Sequence, residues 1–218
     1  EASTFKSEVT SFVFGNGENY SPKNYSNTYA NKDITMAAAL AYSDNIYAVK
    51  THLFLGEDEL VKTLKYAGLK RKLNPNPSLA LGAEDINLLD YAEAYNTLAN
   101  YGTHNELYLI ERIEDNKGNL IYQHKDKSEE VLNKDNIYIL NEMMTSTYNP
   151  IFNDYMSPTI LSLNSRLTKK YAIKSGTTNS DYLIVGYNPD IFMMVWAGND
   201  YNENASSKYS SIIKNIWC

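Results

Sequence analysis

The sequence predicts an α+β fold in which helices cover an antiparallel sheet and a helical lobe lies beside it. The middle of the chain places helix formers and apolar residues at helical spacing, as in DITMAAALAYSDNIYAVKTHLFLG and EDELVKTLKYAGL. The late part contains three β-rich runs, KKYAIK, DYLIVGY and IFMMVWAG, separated by SGTTNS and NPD. An amphipathic segment, ASSKYSSIIKNIW, follows them, so we expect helices to cover the sheet.

The remaining elements follow from turn and capping signals. A short β-like run, VTSFVF, ends at Gly15, and Asp33 is a capping residue for the first helical stretch. Residues 88–99 have apolar side chains at helical spacing, and Gly102 ends that pattern. The segment ELYLIERIEDNKGNLIYQH alternates apolar and polar residues around NKG, which predicts a hairpin. NKDNIYILNEMMTSTY then returns to helix.

Composition excludes several classes of function. The 218 residues suffice for one core without cross-links, and the only cysteine, Cys218, cannot form an intrachain disulfide. A net charge of −6 and a single basic cluster at residues 70–72 argue against nucleic acid as a partner. The three histidines are scattered singly, so we predict no metal and no cofactor. One domain over residues 1–218 is expected.

Three short motifs can carry acyl-transfer chemistry, and the first is Ser3-Thr4-Phe5-Lys6. On a helix this spacing places the hydroxyl and the amine on one face. A serine becomes a nucleophile when a base takes its proton, and a lysine can be that base when burial or a second cation lowers its pKa. The same spacing at residues 211–214 is interpreted as the surface of an amphipathic helix.

The other two motifs are Ser43-Asp44-Asn45 and the run Lys174-Ser175-Gly176-Thr177-Thr178. The first is either a helix cap or a proton relay. The second is either a polar strand terminus or a site in which a strand holds the ammonium, the glycine admits a substrate backbone, and the next amide donates to an oxyanion. A second S-x-N at residues 162–164 fits less well, because it ends ten residues before Lys174.

In this order, S-x-x-K, S-x-N and K-[ST]-G are the motif set of penicillin-binding proteins and serine β-lactamases. Longer segments, including PSLALGAEDINLLDYAEAYNTLANYG and KSGTTNSDYLIVGYNPDIFMMVWAGND, also look like family segments in family order. The chain therefore resembles the transpeptidase domain of penicillin-binding proteins over nearly its whole length, most of all the bifunctional class A type. The resemblance implies a serine β-lactamase/transpeptidase-like fold.

The resemblance also implies a function. The chain would be a D,D-transpeptidase that cross-links peptidoglycan stem peptides through a serine acyl-enzyme and is acylated by β-lactams. Its partners would be stem peptides ending in D-Ala-D-Ala, β-lactam antibiotics and a glycosyltransferase domain in the parent protein. It would act in cell-wall synthesis and cell shape at the extracytoplasmic face of the bacterial membrane, anchored through a segment absent from this chain.

The resemblance assigns nucleophilic attack and the proton transfers, with their supporting contacts, to five side chains. Ser3 would attack the D-Ala-D-Ala carbonyl, with Lys6 as its base. Ser43 would relay the proton to the leaving amine, and Asn45 would orient Lys6 and the substrate amide. Lys174 would help to lower the pKa of Lys6 and would attract the substrate carboxylate.

The resemblance assigns binding of the substrate to the end of the late strand. The hydroxyls of Ser175, Thr177 and Thr178 would bind the carboxylate, and Gly176 would let the substrate backbone approach. The backbone N–H groups of Ser3 and Thr177 would form the oxyanion hole.

The N-terminus departs from the family pattern. Family members carry strands before the nucleophile and continue its helix for several turns, whereas here the chain begins two residues before Ser3. Lys6 is followed at once by SEVTSFVF, which is strand-like. We therefore expect the N-terminal strands to be absent and a segment to be missing between residues 6 and 7.

Three alternative functions share these motifs. A serine β-lactamase adds a glutamate, and EEVLN at residues 129–133 has such a pattern, but it lies 86 residues beyond Ser43 and precedes a segment like those of penicillin-binding proteins. A D,D-carboxypeptidase differs only in using water as the acceptor. The non-catalytic alternative is a β-lactam sensor or a degenerate penicillin-binding domain, which the complete motif set disfavours.

Overall fold

The computed structural model describes residues 3–15, 17–199 and 201–218, and it contains the helices and antiparallel strands of an α+β domain. The strands in the described part are β1 (Thr4–Lys6), β2 (Phe12–Val13), β3 (Asn19–Tyr20), β4 (Asp33–Thr35), β5 (Thr103–Asn105), β6 (Arg112–Glu114), β7 (Leu120–Gln123), β8 (Ser128–Glu130), β9 (Ala172–Thr177), β10 (Asp181–Asn188) and β11 (Ile191–Gly198). The α-helices there are α1 (Met36–Tyr42), α2 (Asn45–Leu55), α3 (Glu57–Tyr66), α4 (Leu88–Ala99), α5 (Lys134–Met144) and α6 (Lys208–Trp217).

The late strands form the antiparallel sheet that the sequence predicts, and the structure gives their order as β11–β10–β9. Within the described ranges β9 pairs with β10 alone, so it is an edge strand. The other strands form two-stranded pairs, β1 with β4, β2 with β3, β5 with β8, and β6 with β7. The β6–β7 pair is the predicted hairpin around NKG, where Gly118 has a φ of 80° that favours glycine.

Helices cover both faces of this sheet. The residues that pack between the sheet and α6 include Ile173, Tyr182, Ile184 and Ile213. The residues that pack between the opposite face and α4 and α5 include Ala99, Met144, Ala172, Val185 and Tyr187. The sheet is therefore the middle layer, and β9 presents its free edge at one side of it.

The helical lobe begins later than the sequence predicts. Residues Asp33–Thr35 pair with β1 as strand β4, so α1 begins at Met36, where the Thr35 hydroxyl caps it by accepting from the Ala38 N–H at 3.3 Å. The expectation of helix from Asp33 is wrong by these three residues because tertiary pairing outweighs local preference. None of the helices in the described ranges is long and apolar enough to cross a membrane.

Candidate active site

The structure brings two of the three motifs into direct contact. The Lys174 ammonium, on β9, donates to the Ser43 hydroxyl at 2.7 Å and to the Ser175 carbonyl at 2.5 Å. Ser43 lies between α1 and α2, 131 residues earlier in the sequence. The candidate active site is therefore the place where the edge of the sheet meets the turn between α1 and α2.

Burial changes the acid–base properties of Lys174. Its side chain is partly buried where β9 meets the α1–α2 turn, and burial lowers its pKa from 10.5 to about 8. A lysine with such a pKa exchanges protons near neutral pH, whereas an exposed lysine stays charged. The Ser43–Lys174 pair can thus pass a proton between a hydroxyl and an amine.

The S-D-N motif both caps a helix and presents polar groups. Ser43 ends α1 in the left-handed conformation (φ 56°, ψ 49°), which is uncommon for a residue other than glycine. Asp44 caps α2, because its carboxylate accepts from the Tyr47 N–H at 2.8 Å. Asn45 is the first residue of α2, and its side-chain amide donates to the Lys23 carbonyl at 2.7 Å.

The polar residues of the third motif lie within β9 itself. The strand runs from Ala172 to Thr177, so the predicted interruption is confined to the turn at residues 178–180. Gly176 lies opposite Leu183 of β10, and a Cβ added at position 176 would meet only the Leu183 Cβ, at 3.9 Å. The fold therefore leaves open space above this glycine, where a ligand backbone can approach.

Hydrogen bonding across the β9–β10 turn shows which backbone groups of β9 face outward. The Thr178 N–H donates to the Asp181 carbonyl at 2.9 Å, and neighbouring residues of an antiparallel pair alternate between facing the partner and facing away. Odd-numbered residues of β9 therefore point their backbone groups to the free edge, as the contact of the Ser175 carbonyl with Lys174 also indicates. By this alternation the Thr177 N–H faces outward at the site.

The two threonines at the end of β9 have different surroundings. Thr177 is exposed, and in the part of the chain that the structure describes its hydroxyl has no hydrogen-bond partner; the same holds for the Ser175 hydroxyl. The Thr178 hydroxyl donates to the Asp181 carboxylate at 3.1 Å and accepts from the N–H groups of Ser180 (3.2 Å) and Asp181 (2.9 Å). Thr178 is thus engaged in the turn, and the contact with the substrate carboxylate that the resemblance implies for it stays a prediction.

The first motif does not have the predicted local structure. Residues Thr4–Lys6 form strand β1, paired with β4, so the prediction of a helix that carries Ser3 and Lys6 is wrong. In extended backbone, side chains three positions apart point to opposite faces. Phe5 packs on Tyr47 with ring centroids 5.4 Å apart, and the Tyr47 hydroxyl donates to the Ser3 carbonyl at 2.9 Å, so this segment lies along α2.

Lys6 also lacks the properties of a general base. Its side chain is about half exposed (49%), its ammonium is 2.8 Å from the Glu8 carboxylate, and the hydrogen bond to Glu8 raises its pKa above the ordinary value. A base for a serine needs the opposite shift. Among the described residues no hydrogen bond joins Ser3 or Lys6 to Ser43 or Lys174, and Asn45 does not orient Lys6 as the sequence predicts.

The junction of residues 6 and 7 lies in paired backbone. The Ser7 N–H donates to the Lys32 carbonyl at 3.2 Å, and the Ser7 carbonyl accepts from the Asn31 N–H at 2.8 Å. The pairing of β1 with β4 therefore continues through Ser7. The segment that we expect to be missing at this point stays a prediction.

Sequence reasoning missed a buried polar cluster behind Ser43. The Asp44 carboxylate is 3% exposed and accepts from the Ser7 hydroxyl, from the Asn24 side-chain amide at 2.6 Å and from the Tyr155 hydroxyl at 3.3 Å. Burial, followed by the charge of Asp44, raises the pKa of Tyr155. The local signal was the strong helix-capping preference of Asp44, but its distant partners have no sequence signal.

A cavity elsewhere in the domain is separate from this site. It has a volume of about 380 Å³, and its lining includes Tyr148, Asn164, Lys169 and Lys170. Both lysines are already paired, Lys169 with Asp190 and Lys170 with Glu142. The cavity contains Asn164 of the second S-x-N but no residue of the three motifs that begin at Ser3, Ser43 and Lys174. Hydrogen bonding and electrostatics, rather than cavity size, therefore identify the candidate site.

Comparisons with known proteins give a family match over almost the whole chain. Residues 2–216 match the family model described as the penicillin binding protein transpeptidase domain. The chain is 44% identical over 214 residues to penicillin-binding protein 2D of Bacillus subtilis, covering 97% of this chain and 31% of that protein. It is 32% identical over 201 residues to penicillin-binding protein 1A of Aquifex aeolicus, covering 89% and 26%. The chain thus spans less than a third of the length of these relatives.

Solved structures show the same fold. Penicillin-binding protein 1A from Haemophilus influenzae superimposes with a TM-score of 0.83 at 22% identity, over 92% of this chain and 35% of that one. The PonA1 protein from Mycobacterium tuberculosis, solved in complex with penicillin V, superimposes with a TM-score of 0.75 at 19% identity, over 98% of this chain and 61% of that one. The predicted transpeptidase-like fold is therefore confirmed.

Proposed function

The chain belongs to the penicillin-binding protein transpeptidase family, and from that premise we propose that its parent protein is a serine D,D-transpeptidase that cross-links peptidoglycan stem peptides. The observation that carries this proposal is the 2.7 Å hydrogen bond between the Lys174 ammonium and the Ser43 hydroxyl, formed by a lysine whose pKa burial lowers to about 8. A pair of this kind suits the proton transfers of acyl transfer.

In this proposal the acyl donor lies along the free edge of β9. Its carbonyl oxygen accepts from the outward Thr177 N–H, which stabilises the oxyanion of the tetrahedral intermediate. Its terminal carboxylate is attracted by the Lys174 ammonium and accepts from the free hydroxyls of Ser175 and Thr177. Gly176 leaves space for the donor backbone. These groups have no competing hydrogen-bond partner within the described residues, apart from the contacts of Lys174.

Ser43 transfers the proton to the leaving amine. The hydroxyl accepts from Lys174, so its own proton is free to point toward the leaving group. Asn45 lies two residues after Ser43. Its side chain is proposed to exchange its contact with the Lys23 carbonyl for a hydrogen bond to an amide group of the acyl donor when substrate binds. Acylation then depends on the charged form of Lys174, so its rate is expected to fall as the pH rises past about 8.

Ser3 and Lys6 are proposed to be the nucleophile and its base in the parent protein, because their S-x-x-K opens the stretch that the transpeptidase family model matches. In this structure Ser3 and Lys6 lie on β1, Lys6 is held by Glu8, and its pKa is raised rather than lowered. The proposal therefore requires these two residues to leave β1, and the segment predicted between residues 6 and 7 would supply the chain length for that. Ser3 seated next to Ser43 and Lys174 would complete the constellation.

The parent protein is further proposed to use an amine of a second stem peptide as acceptor, to be acylated by β-lactams as mimics of D-Ala-D-Ala, and to carry a glycosyltransferase domain and a membrane anchor on the extracytoplasmic side. Similarity to penicillin-binding proteins 1A and 2D supports these assignments. The lactamase alternative gains no support, because Glu129 lies on exposed β8, paired with His104 of β5.

Labelling of the full-length parent protein with a fluorescent penicillin tests the proposal. We expect covalent label in the wild type, a large loss of labelling rate in Ser43→Ala and Lys174→Ala, and no label in Ser3→Ala. Peptide mapping of the labelled protein is expected to place the adduct on Ser3. A wild type without label would contradict the function, and an adduct on another serine would contradict the assignment of the nucleophile.

Incubation with stem peptides then separates the enzyme classes. Cross-linked product supports a transpeptidase, release of D-Ala without cross-linking indicates a carboxypeptidase, and label without either product indicates a sensor. Rapid hydrolysis of the penicillin adduct would indicate a lactamase.

A further inference from the structure

The side chain of Asn24, which lies in a loop, caps the start of α2 from outside the helix. Its side-chain oxygen accepts from the backbone N–H of Asn45 at 2.8 Å and of Ile46 at 3.3 Å. These are among the N-terminal amides of a helix that have no partner within it. Asn24 is only 4% exposed, so it satisfies these amides where water is excluded.

The nitrogen of the Asn24 side-chain amide binds the carboxylate of Asp44, the residue before Asn45. The Asn24 Nδ2 donates to Asp44 Oδ2 at 2.6 Å and lies 3.3 Å from the Ser7 hydroxyl, which itself donates to Asp44. The Asp44 Oδ1 accepts from the Tyr47 N–H. A single asparagine therefore connects the amides of α2 with the residue that caps the helix.

This arrangement lies next to Ser43 in the chain. Ser43 is joined to Asp44 by one peptide bond and has a left-handed conformation that the local sequence does not favour, so its neighbours must fix it. In the described part of the chain the Ser43 hydroxyl contacts Lys174 alone by hydrogen bonding. The backbone that follows, through Asp44 and Asn45, is held by Asn24.

We propose that Asn24 is a positioning residue for the acyl-transfer site: by holding Asp44 and the start of α2, it keeps the Ser43 hydroxyl on Lys174 and keeps Asn45 facing the acyl donor. This inference rests on the proposed function of the Ser43–Lys174 pair. Asn24 itself is buried and acts through Asp44 and Asn45, so it does not contact the substrate.

The test compares Asn24→Ala with a cap that lies elsewhere. Asn87 caps α4 by accepting from the N–H groups of Leu89 and Asp90, so Asn87→Ala removes an asparagine cap without touching the site. The second-order rate constant for acylation by a fluorescent penicillin is measured on the full-length protein over a range of pH. We expect Asn24→Ala to lower it at least about tenfold, whereas Asn87→Ala leaves it within about twofold.

The pH profile separates positioning from a general loss of stability. If Ser43 moves off Lys174, water reaches the ammonium, and the fall in acylation that occurs near pH 8 in the wild type shifts toward the ordinary lysine value. The shift is expected in Asn24→Ala and absent in Asn87→Ala. Thermal unfolding of both variants shows how much stability each loses.

A second variant covers the case in which Asn24→Ala does not fold. Asn24→Ser keeps a hydroxyl that can bond either to Asp44 or to the amides of Asn45 and Ile46, but it is too short to join both. We expect this variant to fold and to shift the pH midpoint of acylation in the same direction as Asn24→Ala. Its acylation rate should be at least about threefold below that of the wild type.

Folded Asn24 variants with the wild-type rate and pH midpoint would overturn the positioning role, as would an equal loss in Asn87→Ala. Absence of label in the wild type would instead overturn the proposed function. The two failures are therefore distinguishable.

Discussion

Two lysines of this chain, Lys174 and Lys6, each belong to a motif of the acyl-transfer set, yet they have opposite surroundings. Lys174 is partly buried where β9 meets the α1–α2 turn, and burial lowers its pKa to about 8. Lys6 is half exposed on β1, and its hydrogen bond to Glu8 raises its pKa. The same residue type within a matching motif thus gives a proton-transfer group in one region and a surface ion pair in the other.

The difference teaches that burial and partners, rather than motif spacing, decide the chemistry of a lysine. Lys174 donates to neutral oxygens, the Ser43 hydroxyl and the Ser175 carbonyl, so nothing compensates for the loss of water around its charge. Lys6 has a carboxylate partner and keeps contact with water, which favours its charged form. Exposed pairs such as Lys6–Glu8 contribute little to stability.

Removal of each ammonium in turn gives the largest expected effect. We expect Lys174→Met to lower the rate constant for acylation by a fluorescent penicillin by about 10³-fold, because both the proton transfer and the attraction of the carboxylate are lost. Lys6→Met is expected to lower it as well, because the proposed base for Ser3 is lost. Lys62→Met, which removes an exposed lysine paired with Glu59, is the matched control and should change it less than about twofold. An unaffected rate in Lys6→Met would count against Lys6 as the base.

Stability as a function of pH tests the lowered pKa of Lys174 directly. Between about pH 8 and pH 10.5 this lysine is more often protonated in the unfolded state than in the folded state. Its contribution to the free energy of unfolding therefore rises with pH in that window. We expect a rise of the order of 2–3 kcal/mol relative to Lys174→Met. Denaturant titrations of the wild type, Lys174→Met and Lys6→Met across this window measure it. If the difference in free energy of unfolding between the wild type and Lys174→Met stays constant across this pH window, the assigned pKa is contradicted.

Substitution of two glycines of the sheet distinguishes a glycine needed for substrate binding from a glycine needed for packing. Gly176→Ala places a methyl group in open space, so we expect an unchanged melting temperature and an acylation rate about tenfold lower, because the donor backbone is pushed away from the Thr177 N–H. Gly186→Ala places its Cβ against the ring of Trp217, so it should lower the melting temperature clearly. Thermal unfolding and labelling of both variants decide the matter, and an unaffected acylation rate in Gly176→Ala would count against the proposed substrate path.

The adjacent threonines give the smallest expected effects. Thr178→Val removes the hydroxyl that organises the β9–β10 turn and should cost about 1–2 kcal/mol of stability with little change in acylation. Thr177→Val removes a free hydroxyl and should leave stability unchanged while lowering acylation a few-fold, roughly the value of one hydrogen bond. Melting temperatures together with labelling rates test both, and the reverse outcome would reassign the two residues.

Much of the sheet and half of the site could be predicted from the sequence. The three late strands have strong β-rich runs with short turns, and the order of S-x-N and K-[ST]-G identified Ser43 and Lys174 although they are 131 residues apart. The end of β9 was placed too early because Ser175 and Gly176 are poor strand formers locally. Pairing with β10 outweighs that preference.

The rest of the site could not be predicted because it depends on tertiary surroundings. S-x-x-K spacing at Ser3–Lys6 says nothing about whether the segment is helical, and only pairing with β4 makes it a strand. The role of Asn24 depends on a contact with a helix that begins 21 residues later. Side chains that act across such separations leave no periodic pattern in the sequence.

The contact between Ser43 and Lys174 has a consequence for how the protein is made. Because its two partners are 131 residues apart, a nascent chain must close a very long loop before the hydrogen bond can form. Such non-local contacts are made late and slow the folding of a domain. During synthesis from the N-terminus, reactivity toward a penicillin should therefore appear only after β9 has left the ribosome and has paired with β10.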